Sequence, residues 1–115
     1  MTAAQFQPII AERRRELEVR LAAVESQLAT IRAARGAATD DDEHDPEGST
    51  LSTEWSRAEG QRADVSRELA ELDAALGRLA DGTYGVCTSC GGMIPRERLR
   101  LRPAATLCVP CASRH

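Results

Sequence analysis

Lysine is absent from this 115-residue chain; all 15 of its Lys/Arg positions are arginine. The two cations differ chemically, but so complete an absence reads as codon bias in a GC-rich genome before it reads as function. Aromatic side chains are nearly missing as well. One Trp, one Tyr and one Phe exclude a large aromatic core. No apolar run approaches membrane-spanning length. Residues 1–15 lack the apolar centre of a secretory signal, and Arg13, Arg14 and Arg15 follow at once. The expectation is a cytoplasmic protein with reduced cysteines and no membrane partner. No nucleophile–base pair is apparent either, so the sequence offers no enzyme chemistry.

What is present is the composition of long helices, dominated by Ala, Leu, Arg and Glu. Pro8 suits the first turn of a helix. From there Ile10, Leu17, Leu21, Val24, Leu28 and Ile31 follow a heptad pattern in which Arg14 fills a skipped position, and Gly36 can end the helix. A second series runs Leu51, Trp55, Ala58, Arg62, Val65, Leu69, Leu72, Leu76, Leu79, and Gly82 can cap it. Each helix would hold about 28–31 residues and span about 42–46 Å.

The two stripes match as an intramolecular antiparallel hairpin. Leu17 faces Leu72, Leu21 faces Leu69, Val24 faces Val65, Ile31 faces Ala58 and Arg35 faces Trp55, so the fold-back centres between His44 and Asp45. Residues 40–47 hold six acids and no basic side chain except His44, and Pro46, Gly48 and the clustered Asp are turn formers. The predicted fold is mainly α. An antiparallel coiled-coil hairpin occupies residues 1–81, with an acidic tip at 40–50, and a small four-cysteine zinc finger occupies residues 82–115. The alternative is a coiled coil between chains; the hairpin implies a monomer.

Cys87-Thr88-Ser89-Cys90 and Cys108-Val109-Pro110-Cys111 are two C-x2-C knuckles separated by 17 residues. That spacing is specific for one tetrahedral zinc ion bound by four thiolates. A closed site leaves no position for a catalytic water. Gly91 and Gly92 let the first knuckle bend and can aim N–H groups at sulfur. Two disulfides are the competing reading in an oxidising compartment, and a redox switch is compatible with resting zinc. Residues 82–115 hold Arg96, Arg98, Arg100, Arg102 and Arg114 against the single acid Glu97, although a zinc tetrathiolate returns a charge of −2.

The hairpin with an acidic tip, the run Gly85-Val86-Cys87-Thr88-Ser89-Cys90-Gly91 and the run from Arg98 to Cys108 resemble the DksA/TraR family of bacterial transcription factors. The likeness is strongest from Asp81 to Cys111 and specific in its motifs. It implies direct binding to RNA polymerase without sequence-specific DNA binding. It also implies a coiled-coil tip that enters the secondary channel and changes promoter-complex stability. The tip candidates are then Asp45, Glu47, Asp42 and Glu43, and the base candidates are Arg98, Arg100 and Arg102.

Two departures qualify this expectation. The family's D-P-x-D-x-A reads Asp45-Pro46-Glu47-Gly48-Ser49-Thr50 here. Of the basic residues that grip guanosine tetraphosphate in close relatives, only Arg102 is retained; Glu71 and Ala112 stand where lysines are expected. Little response to that alarmone follows. The four residues after Cys111 also leave out the family's longer C-terminal helix. The other functional readings are a zinc ribbon that binds nucleic acid, with alternate arginines along one face of a strand, and a coiled-coil adaptor.

Overall fold

The computed structural model describes residues 3–37 and 46–114. Four helices follow in order: α1 (Ala3–Ala37), α2 (Pro46–Asp81), α3 (Arg96–Leu101) and α4 (Val109–Ser113). Among the described residues there is no strand, only an isolated antiparallel bridge between Val86 and Met93. The mainly α architecture, with two long helices and a small cysteine module, is as the sequence predicts.

Both long helices exceed their predicted length, at 35 and 36 residues. α1 starts five residues before Pro8, which lies inside it. The cost is small so near the end, because the missing amide would have served only the first turn. α2 starts at Pro46, so Pro46 to Thr50 are helical and not part of a turn. Proline at the first helical position explains this, since that position needs no donor.

Along each helix a buried position recurs every seven residues, Ile10, Leu17, Val24 and Ile31 on α1 and Ala58, Val65 and Leu72 on α2, with Phe6, Leu28 and Ala75 buried beside them. The intervening Arg14, Leu21, Arg62, Leu69 and Leu76 are only half-buried. A pair of helices has one shared seam, and the flanks of that seam stay open to water.

The chain divides into two compact units. In the unit formed by residues 17–67, Val24, Leu28, Ile31 and Ala58 make one buried cluster with Leu51 and Trp55 packed against it. Arg32 and Arg35 lie over the Trp55 ring at 5.5 and 5.8 Å, in accord with the expected pairing of Arg35 with Trp55. Here α1 and α2 run antiparallel, with Glu25 in the field of Arg62 and Arg32 in that of Glu59.

The other unit joins residues 3–16 to residues 68–114. Arg14 Nε donates to Asp73 Oδ1 at 2.9 Å and Arg13 Nε to Glu68 Oε2 at 2.7 Å, tying α1 to α2. These pairs are substantially exposed and each contributes at most about 1 kcal/mol. Phe6 is buried and packs against Tyr84, with ring centroids 5.3 Å apart and planes tilted by 48°. α2 ends where Gly82 takes φ 84 and the amides of Thr83 and Tyr84 return to the Arg78 carbonyl at 3.0 and 3.2 Å. Asp81 accepts from the Thr83 amide and hydroxyl, which hold its carboxyl below its usual value.

Candidate metal centre

The first knuckle is a tight loop closed by backbone hydrogen bonds. The Cys87 amide donates to the Gly92 carbonyl at 2.8 Å, the Gly91 amide to the Cys87 carbonyl at 2.9 Å, and the Ile94 amide to the Gly85 carbonyl at 2.8 Å. Gly91 takes φ 74, a left-handed conformation that favours glycine. The Gly92 N–H points at Cys90 Sγ, 3.4 Å away. Gly92 thus meets the expected role of aiming a donor at sulfur, while Gly91 supplies the bend.

The second knuckle is the start of α4. Cys108 precedes the helix, Pro110 sits in its first turn, and the Ala112 amide returns to the Cys108 carbonyl at 2.9 Å. Residues 103–107 lead into it without regular structure, so other parts of the unit satisfy their carbonyls. The Tyr84 hydroxyl donates to Pro103 O at 2.7 Å, the Thr88 amide to Thr106 O at 2.9 Å, and Arg98 Nε to Leu107 O at 2.9 Å.

These contacts bring the sulfurs of Cys87, Cys90, Cys108 and Cys111 within 4.8 Å of one another. Cys90 Sγ and Cys108 Sγ are 3.8 Å apart. A tetrahedron with metal–sulfur bonds of about 2.3 Å has edges of about 3.8 Å, so the cluster fits one zinc ion. All four cysteines are free in this structure, and all four sulfurs gather at one point, which suits a shared metal better than two disulfides. Cys87 and Cys111 are buried, Cys108 is half-buried and Cys90 is exposed. Backbone amides of Cys108 and Cys90 lower the Cys87 thiol to about 6. The side chain of Cys108, followed by burial, pushes Cys111 up to about 12. Four thiolates this close need a cation, which a structural zinc provides.

Residues 96–101 form helix α3 and not the strand along which the nucleic-acid reading set alternate arginines. Pro95 leads into the helix and Leu99 is its buried anchor. Arginines two apart therefore point in different directions: Arg98 turns inward onto Leu107 O, while Arg96, Arg100 and Arg102 are exposed. A groove of about 380 Å³ runs beside this helix, lined by Glu71, Ala74, Arg78, Arg98 and residues 104–107. Glu71 therefore shares a groove with two arginines, and Arg102 lies outside its lining. Of the tip candidates, Asp42, Glu43 and Asp45 fall outside the described residues, and Glu47 is placed by its backbone alone in the first turn of α2.

Sequence reasoning missed the clamp around residues 103–107. Tyr84 was a usable signal, since a lone tyrosine just before a knuckle needs a partner for its hydroxyl when buried.

Residues 82–115 match the prokaryotic dksA/traR C4-type zinc finger family. The chain is 42% identical over 66 residues to the RNA polymerase-binding transcription factor DksA of Caulobacter vibrioides, an overlap of 56% of this chain and 46% of that protein. It is 47% identical over 47 residues to general stress protein 16O of Bacillus subtilis, covering 40% and 29% respectively. Among solved structures, transcription factor DksA2 from Pseudomonas aeruginosa is similar at a TM-score of 0.81 and 27% identity, over 96% of this chain and 80% of that one. The matches span less than half the length of these curated relatives.

Proposed function

We propose, from the premise that residues 82–115 belong to the DksA/TraR zinc-finger family, that this chain is a bacterial transcription regulator that binds RNA polymerase directly. The observation that carries the reading is the four-cysteine cluster of that family, borne on a fold shared with DksA2. The protein acts in the cytoplasm as a monomer and is not an enzyme; its zinc is structural.

The segment around residues 40–50 enters the secondary channel and changes promoter-complex stability. Asp45 is the leading tip residue, followed by Glu47, Asp42 and Glu43. Arg100 and Arg102 support docking through the zinc-finger unit; Arg98 serves chiefly to hold the Leu107 carbonyl. Guanosine tetraphosphate gives little enhancement, because Glu71 places a negative charge in the groove with Arg78 and Arg98.

A pull-down with the zinc-loaded chain, followed by transcription in vitro, tests this. Stoichiometric recovery of RNA polymerase and a shortened or lengthened promoter-complex lifetime are expected. Recovery of DNA in place of polymerase would favour a nucleic-acid-binding zinc ribbon.

A further inference from the structure

In the unit formed by residues 17–67, apolar side chains run short at the end where α1 stops and α2 starts. Beyond Ile31, the last buried position of α1, the helix reads Arg32-Ala33-Ala34-Arg35-Gly36-Ala37. Across from it, residues 46–57 of α2 offer Leu51 and Trp55 as their large apolar side chains. Both are partly buried against the cluster of Val24, Leu28, Ile31 and Ala58. A two-helix seam needs apolar partners from both sides, and here α1 brings none larger than alanine.

Arginine takes that place. Arg32 and Arg35 stand three residues apart on α1 and so share a face. Their guanidinium carbons lie over the Trp55 ring, 5.5 and 5.8 Å from its centroid. That is the range of cation–π attraction, for which tryptophan is the strongest aromatic partner. The next turn of α2 adds charge. Glu59, four residues after Trp55, is held by Arg62 through hydrogen bonds of 2.7 and 3.2 Å, and Arg32 lies in the field of its carboxylate. An exposed arginine pair is ordinarily worth little to a fold, but this pair covers a side chain on which the last layer depends.

We infer that Trp55, with Arg32 and Arg35 over its ring, clasps the last turns of α1 to the first turns of α2 and is a positioning residue for the regulatory end of the chain. This rests on the tip reading proposed above and adds what holds that end in place. The ends of α1 and α2 are the two anchor points of residues 38–45, and Glu47 stands about two helical turns before Trp55. With the clasp, both anchors are tied to the buried layer of Ile31 and Ala58. Without it, Leu51 alone remains as an apolar tie, and the two helix ends fray independently. The zinc-finger unit draws on residues 3–16 and 68–114 and includes none of the clasp residues. Loss of the clasp should therefore separate effect from affinity.

Hydrogen exchange and transcription in vitro, both with the zinc-loaded full chain, test this together. The variants are Trp55→Ala, Trp55→Phe, the double variant Arg32→Gln/Arg35→Gln, and Val65→Ala as a buried change in the same unit outside the clasp. Trp55→Ala should speed exchange of amides 28–35 and 51–58 about tenfold or more and leave amides 68–81 unchanged. It should bind RNA polymerase within about threefold of wild type, yet at saturation lose most of the effect on promoter-complex lifetime. Trp55→Phe keeps a ring under the arginines and should restore most of both readouts. The arginine double variant keeps the ring without the cations and should fall between. Val65→Ala should lower the midpoint of chemical denaturation and leave the saturating effect at wild-type size. Unchanged exchange or a full saturating effect in Trp55→Ala would overturn the inference. Equal loss of effect from Val65→Ala would trace it to general stability, and a matching loss of affinity in Trp55→Ala would make Trp55 a docking contact instead. An arginine double variant indistinguishable from wild type would break the stack assignment. If wild type itself leaves promoter complexes unchanged, the regulatory reading fails, and the exchange data alone decide whether the clasp exists.

Discussion

The four sulfurs set the chemistry at the scale of single residues. Zinc requires thiolates, so protons compete with it, and metal retention must fall as pH falls. Backbone amides lower the Cys87 thiol to about 6, while the Cys108 side chain and burial push Cys111 up to about 12. Acid titration followed with a zinc-sensitive dye should therefore show release on the acid side, with several protons taken up per metal. Cys90→Ser should lose zinc and melt residues 82–114 while most helical signal persists. Zinc-free native protein under reducing conditions would contradict this. Tyr84 offers a second residue-scale test. Its hydroxyl bonds Pro103 O and burial raises its pKa. A raised folded value means that its contribution is complete below the ordinary tyrosine range and is lost as pH rises through the folded value. Tyr84→Phe should cost about 1 kcal/mol in urea unfolding near neutrality. It should also remove part of the alkaline loss of stability seen in wild type. The metal ligands themselves were legible from spacing alone, because a C-x2-C turn is local. Arg98 was not. Its inward turn depends on α3 being a helix and on the free carbonyl of Leu107, neither of which the alternation of arginines reveals.

Helices are where sequence periodicity carries most weight, and where its limits show. The heptad series gave both long helices and the seven-residue rhythm of burial, but not their ends. Pro46 reads as a turn former beside clustered Asp and as a good first residue of a helix; position decides, and the sequence leaves position open. The short α3 and α4 were also beyond reach, since helices this short are stable only through tertiary contacts such as buried Leu99. The burial pattern now ranks the seam. Leu72 is 1% exposed, so Leu72→Ala should cost on the order of 2–5 kcal/mol, and Leu69→Ala, half-buried, should cost less. The two values from chemical denaturation should fall in that order. Gly60 and Gly77 lie inside α2, with nothing within 4 Å of an added Cβ. Alanine at either should raise stability by roughly 0.5–1 kcal/mol. A loss at either site would mean that a close contact has been overlooked.

The proposed function belongs to the scale of the whole molecule: on that proposal the zinc-held module docks and the acidic segment regulates. Division of labour has a measurable form. Asp45→Ala should bind RNA polymerase within a few-fold of wild type yet lose most of the effect on promoter-complex lifetime. Guanosine tetraphosphate should change neither protein's effect appreciably, and strong potentiation of wild type would show that Glu71 does not exclude a polyphosphate. The most direct measurement places a photoreactive residue at position 45 and irradiates the chain in complex with RNA polymerase. Crosslinks should map to polymerase elements that line the secondary channel near the catalytic centre. Crosslinks to promoter DNA or to the outer polymerase surface, from a complex that forms with normal affinity, would contradict insertion of this segment into the channel.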